Sequence, residues 1–120
     1  MTESDRTLWS YIYCSFLGHR RAGETIQGTV NRAAAKCLDE EESRSFNPTT
    51  CKVREIYLPI EELAKAERYH KRLKPQREDG PIILLNVGGK TVVIDGNNRI
   101  NKWERKGKSE LTRTIIMEAL

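Results

Sequence analysis

The sequence has no Cys-x-x-Cys pair. Its three cysteines, Cys14, Cys37 and Cys51, lie far apart, and His19 and His70 are its only imidazoles. Structural zinc sites need four clustered thiolate or imidazole ligands and catalytic sites three plus water; neither pattern is present. An odd, scattered set of thiols also argues against a disulfide framework and points to reduced cysteines in the cytoplasm. Long apolar runs are missing too. The best candidate, 8–17, is interrupted by Ser10, Tyr11, Tyr13 and Ser15, and falls well short of the ~20 apolar residues that span a bilayer. The residues from Met1 to Arg6 lack the basic start of a secretory signal. These absences lead to the expectation of a cytoplasmic protein with no membrane partner.

Charge is plentiful. Of 120 residues, 32% are charged and 38% hydrophobic, enough apolar material for one core beneath a densely ionic surface. The formal net charge of +4 favours an anionic partner: a nucleotide, DNA or an acidic protein face.

Periodicity divides the chain near residue 50. In the first part, Ile26, Val30, Ala33, Ala34, Cys37, Leu38 and Glu41 recur at helical steps. Leu8, Ile12 and Phe16 recur at four-residue steps, predicting a helix over 8–17 despite its strand-like Tyr and Ile content. The polar stretch 40–48 ends in Asn47-Pro48, a turn signal, and is expected to be a connection. Beyond it the pattern predicts a strand over 53–58 and a helix over 60–73, with Pro59 as first helical residue. Next come a nearly continuous apolar strand over 82–87, a Gly88-Gly89 hairpin turn and a returning strand over 91–94. A helix over 98–106, closed by Gly107, and a last strand over 111–117 complete the series. The expected fold class is α+β: a small mixed β-sheet with packed helices, preceded by an N-terminal helical segment. Residues 1–50 form that extension and 51–120 the main domain.

Chemistry concentrates at Asp95-Gly96-Asn97-Asn98-Arg99, where a buried strand delivers the chain to a glycine and a helix starts at once. The first turn of a helix exposes backbone N–H groups and carries partial positive charge, which suits an anion. Gly96 would allow close approach, and Arg99, one turn in, could grip phosphate oxygens bidentately. The same letters also spell an ordinary turn with an N-cap and a solvated arginine.

Asp95-Gly96-Asn97-Asn98-Arg99, with Gly107 closing the helix, resembles the D-G-x-x-R-x-x-A-A-x-x-x-G pattern of the ParB-like/sulfiredoxin superfamily. The flanks are similar: 53–63 looks like the family's opening strand and Pro-Ile-x-x-Leu entry, and Gly80-Pro81-Ile82-Ile83-Leu84 like its next strand. The likeness covers about residues 51–118. It implies a nucleoside triphosphate ligand, ATP or CTP with Mg²⁺, seated at Gly96, Asn97, Asn98 and Arg99. The family includes ATP-using sulfiredoxins, a serine kinase, CTP-binding partition proteins, and small plasmid or phage proteins with ATPase or nuclease activity. An enzymatic version of this chain would therefore be a nucleotide hydrolase or Mg²⁺-dependent DNase, with Glu62 and Asp95 as candidate catalytic carboxylates.

The departures are specific. Asn97 stands where sulfiredoxins carry their reactive cysteine, and an amide cannot attack a sulfinyl phosphate. Asn98 replaces the usual histidine, and Lys102-Trp103 the usual Ala-Ala. No helix-turn-helix follows the last strand. These losses favour an alternative: a catalytically inactive DNA- or protein-interaction module, such as a plasmid, phage or mobile-element regulator or inhibitor.

For DNA, the candidate contacts are Lys71, Arg72, Lys74, Lys102 and Arg105, which could release condensed counterions; basic residues late in a helix are equally a response to its dipole. Glu61 and Glu67 are weaker carboxylate candidates than Glu62. Trp103 and Tyr69 either stack on a base or belong to the core. Trp9, Tyr11 and Tyr13 would dock the N-terminal segment on the sheet or make a homodimer contact.

Overall fold

The computed structural model describes residues 3–47, 51–66, 80–107 and 110–119. Expectations for 67–73, and for Lys71, Arg72, Lys74, Tyr69, His70 and Glu67, lie outside those residues.

Four apolar, β-branched segments become strands: β1 (Lys52–Pro59), β2 (Ile82–Val87), β3 (Lys90–Asp95) and β4 (Leu111–Glu118). They form one sheet in the order β1-β4-β2-β3. The sheet is mixed, as expected: β1–β4 and β2–β3 are antiparallel, and the central pair β2–β4 is parallel. β2 is buried on both faces apart from Asn86, which explains its nearly unbroken apolar run. Gly88 and Gly89, at φ 58° and 81°, make the tight turn between β2 and β3.

Five helices complete the chain: α1 (Glu3–Leu17), α2 (Ile26–Ala34), α3 (Glu40–Ser45), α4 (Ile60–Lys65) and α5 (Asn97–Arg105). The predicted 8–17 helix is therefore real and begins five residues earlier. Two other expectations are corrected. The helical periodicity that reaches Glu41 does not mark one helix, because α2 stops at Ala34 and a turn intervenes. The stretch 40–48 is no simple connection either, since α3 begins at Glu40. Asp39 accepts from the Glu42 amide (2.8 Å) and the Glu42 side chain accepts from the Asp39 amide (2.9 Å), a reciprocal capping box that satisfies two otherwise orphaned donors. Lys90 of β3 reaches Glu42 (3.1 Å) and ties this short helix to the sheet edge.

α4 is shorter than the predicted 60–73, because Ala66 leaves helical geometry at φ −68°, ψ 146°. Pro59 is its extended N-cap, one position ahead of the first helical residue. α5 starts one residue earlier than predicted, and Gly107 at φ 66° follows it in the left-handed region as expected.

The sheet's two faces support two cores. On one, Ile12, Phe16, Val30, Ala34, Leu38 and Phe46 from the N-terminal helices pack against Val53, Ile83, Leu85, Val92, Ile115 and Met117. On the other, Ile60, Leu63 and Ile100 of α4 and α5 cover Ile82, Leu84, Val93 and Ile116. The result is three layers with the sheet in the middle. The N-terminal helices and one face of the sheet thus share a core.

Candidate functional site

β3 ends at Asp95, α5 begins at Asn97, and Gly96 between them sits at φ 104°, ψ 11°. A side chain is strained in that conformation, so the backbone itself calls for glycine here. Packing calls for it as well. A Cβ on Gly96 would run into Ile82 Cδ1, and Ile82 is fully buried. The bare α-carbon that would admit a ligand is pressed against the protein's own side chain.

Arg99 has a similar internal role. It is 3% exposed, one of the few buried charges in the described residues. Its Nη1 donates to the Gly80 carbonyl (2.8 Å) and its Nη2 to the Pro81 carbonyl (3.3 Å). Asp95, one turn back, supplies the opposite charge 3.7 Å from Nη2. A buried guanidinium is tolerated when its donors are matched and a carboxylate balances its charge. Arg99 thereby ties the entry of β2 to the β3–α5 corner.

Asn97 also looks inward, its Nδ2 donating to the Val93 carbonyl (3.2 Å). Asn98 is half-buried. The corner brings Asp95, Gly96, Asn97 and Arg99 together, as their sequence order requires. As packed, however, it presents a triphosphate with neither the open α-carbon of Gly96 nor the fork of Arg99. In this packing Gly96 and Arg99 do not fit that ligand.

The other candidate carboxylate, Glu62, lies in the first turn of α4, exposed and paired with Lys65 (2.8 Å). Glu61 beside it is exposed as well. Both suit the positive end of the helix dipole. Among the described residues no group of three or more His, Cys, Asp or Glu side chains could hold a metal ion. Burial pushes the Cys51 thiol up to about 11, so it is a poor nucleophile.

The basic candidates fare differently. Lys102 and Arg105 occupy the last turn of α5, with Arg105 exposed and Lys106 exposed just beyond it. Trp103 packs partly buried against the core of α4, α5 and the sheet, as the core reading has it.

The three N-terminal aromatics separate. Trp9 packs partly into the core. Tyr11 lies under Arg113 of β4, whose Cζ is 4.3 Å from the ring centroid. Tyr13 faces outward, 49% exposed. Arg113, held charged by Tyr11 and then Glu55, bonds Glu55 across the β1–β4 ladder (2.8 Å). Of this group the sequence points only to Tyr11, as an aromatic that docks the N-terminal segment on the sheet; Glu55 and Arg113 offer no hint beyond two strand residues of opposite charge.

No helix among the described residues is long and apolar enough to cross a membrane. Comparison with known proteins finds no matching family model, no matching curated protein and no matching solved structure.

Proposed function

We propose that this chain is a non-catalytic interaction module that docks on an anionic macromolecule, DNA foremost, and does not turn over a nucleotide. One observation carries the reading: Arg99 is buried against the Gly80 and Pro81 carbonyls, so the arginine of the Gly-x-x-Arg turn serves the fold. In a ParB/sulfiredoxin-like reading, the turn has kept the glycine and arginine that build the corner. It has given up the cysteine and histidine that react there.

Net charge supports the choice of partner. Glu24, Glu40, Glu42, Glu55, Glu62, Asp95 and Glu118 each face an intramolecular base. These pairs cancel charge for charge and leave the formal net charge of +4 unchanged, and Arg105 and Lys106 lie exposed at one end of α5. Such a cluster attracts phosphates without reading sequence.

The test is fluorescence anisotropy with labelled duplex DNA at rising salt. Affinity should fall steeply with salt, and Arg105→Glu with Lys106→Glu should weaken it several-fold. Absence of DNA binding at low salt would overturn the proposal. A second reading, a nucleoside triphosphate with Mg²⁺, is favoured by Gly96 at the N-cap of α5, which has no side chain to bond the first N–H groups. Calorimetric titration with ATP and CTP separates the two: the module gives no heat with either. A supercoiled plasmid should stay intact with Mg²⁺.

A further inference from the structure

The outward face of α1 carries a groove. Arg6, Trp9, Ser10, Tyr13 and Cys14 line a shallow groove of about 400 Å³ along it. They repeat at i, i+3, i+4, i+7 and i+8, a single helix face. Leu17 continues the stripe at 46% exposure, next to Tyr13 at 49%. The face alternates in size, with bulky Trp9 and Tyr13 beside small Ser10 and Cys14. Tyr, Trp and Arg are the residue types that anchor protein–protein contacts.

We propose that this groove receives α1 of a second copy of the chain, antiparallel, about a two-fold axis. Two features on the helix choose that occupant and direction. The first is charge. α1 has Glu3 and Asp5 in its first turn and no base in its last, while His19, Arg20 and Arg21 follow its C-terminal end directly. Antiparallel pairing sets the acidic start of each helix beside the basic turn of the other; parallel pairing sets like beside like. The second is size. In the antiparallel register that places Arg6 opposite Leu17 of the second copy, Trp9 falls opposite its Cys14 and Tyr13 opposite its Ser10, and Glu3 comes to the end from which the turn with Arg20 emerges. Each bulky side chain then enters a gap left by a small one, and the contact is self-complementary, as a two-fold interface must be.

Sedimentation equilibrium on the full chain tests this directly. At micromolar concentration the wild type should show twice its mass of 13.8 kDa. Tyr13→Asp should raise the dissociation constant roughly tenfold or more, while its thermal melt by circular dichroism stays close to wild type. Glu3→Arg and Arg20→Glu should each weaken the dimer, and the double variant should restore it. A short bis-maleimide should cross-link two chains through Cys14, and Cys14→Ser should abolish the product. A monomer at all concentrations, a dimer indifferent to Tyr13→Asp, or charge variants that fail to rescue each other would overturn the proposal. None of these outcomes depends on whether the chain binds DNA.

Discussion

At the scale of single residues, Arg99 decides the most. Replacing it with alanine leaves the Gly80 and Pro81 carbonyls without their donor and Asp95 without its counter-charge. The expected loss is about 3 kcal/mol in urea unfolding. Arg99→Lys keeps the charge but not the fork, so about 1–2 kcal/mol is expected. Neither variant should change the heat of an ATP titration. Gly96 allows a sharper test, because two costs act there at once: Gly96→Ala meets both the positive φ and Ile82 Cδ1. Its loss should be about 2–4 kcal/mol. Adding Ile82→Val removes the clashing methyl, so the double variant should recover part of the loss although Ile82→Val alone destabilises by about 1 kcal/mol. Simple additivity in that cycle would show that the methyl does not limit the site. The identity of these residues was legible in the sequence, because a strand, a glycine and a helix in succession mark a corner. The direction of Arg99 was not. Spacing places it one turn in, and only the i, i+4 relation to Asp95 hinted at an internal pair.

At the scale of elements, the loop between α1 and α2 is held by a single carboxylate. Glu24 bonds Arg32 (3.0 and 3.1 Å) and Thr29 (2.8 Å) and accepts from the Arg21 amide (3.2 Å), while Arg32 also donates to the His19 carbonyl (2.7 Å). Arg32 first, then Thr29, lowers the Glu24 carboxyl from 4.5 to about 2. Its folded value lies below its unfolded one, so its contribution is complete above about pH 4.5 and fades as pH falls towards 2. Melting temperature should decline across that window, and Glu24→Gln should flatten that part of the decline. An unchanged slope would remove the clip from the account. The alternation after residue 51 was readable because Pro59, Gly88-Gly89, Gly96 and Gly107 punctuate it. α3 was not read, because three consecutive glutamates look like a solvated connection. The Asp39–Glu42 spacing was the signal to weigh, since it is the spacing of a capping box.

At the scale of the molecule, the N-terminal helices form one of three layers. Without them Ile83, Leu85, Val92, Ile115 and Met117 would face water on a single sheet surface. A fragment of 51–120 should therefore aggregate or bind a hydrophobic dye, and the whole chain should unfold in one transition. A soluble 51–120 fragment with a cooperative melt would show that the layers fold independently. The strand order β1-β4-β2-β3 could not be read from one sequence, because local patterns fix strands and leave their neighbours open.

That order has a consequence for synthesis. β1 pairs along its whole length with β4, from Lys52 opposite Glu118 to Pro59 opposite Leu111. β4 also supplies the parallel neighbour of β2, so it is the seam joining the two halves of the sheet. Loop closure over such distances is slow, and it cannot begin before both ends exist. On the ribosome, the first three helices and β1 would emerge with only one another to settle on. Pulling force on a nascent chain should stay low until 111–118 clears the exit tunnel, then rise in a single step. Until that moment the chain depends on its charge, and on chaperones, to stay out of aggregates.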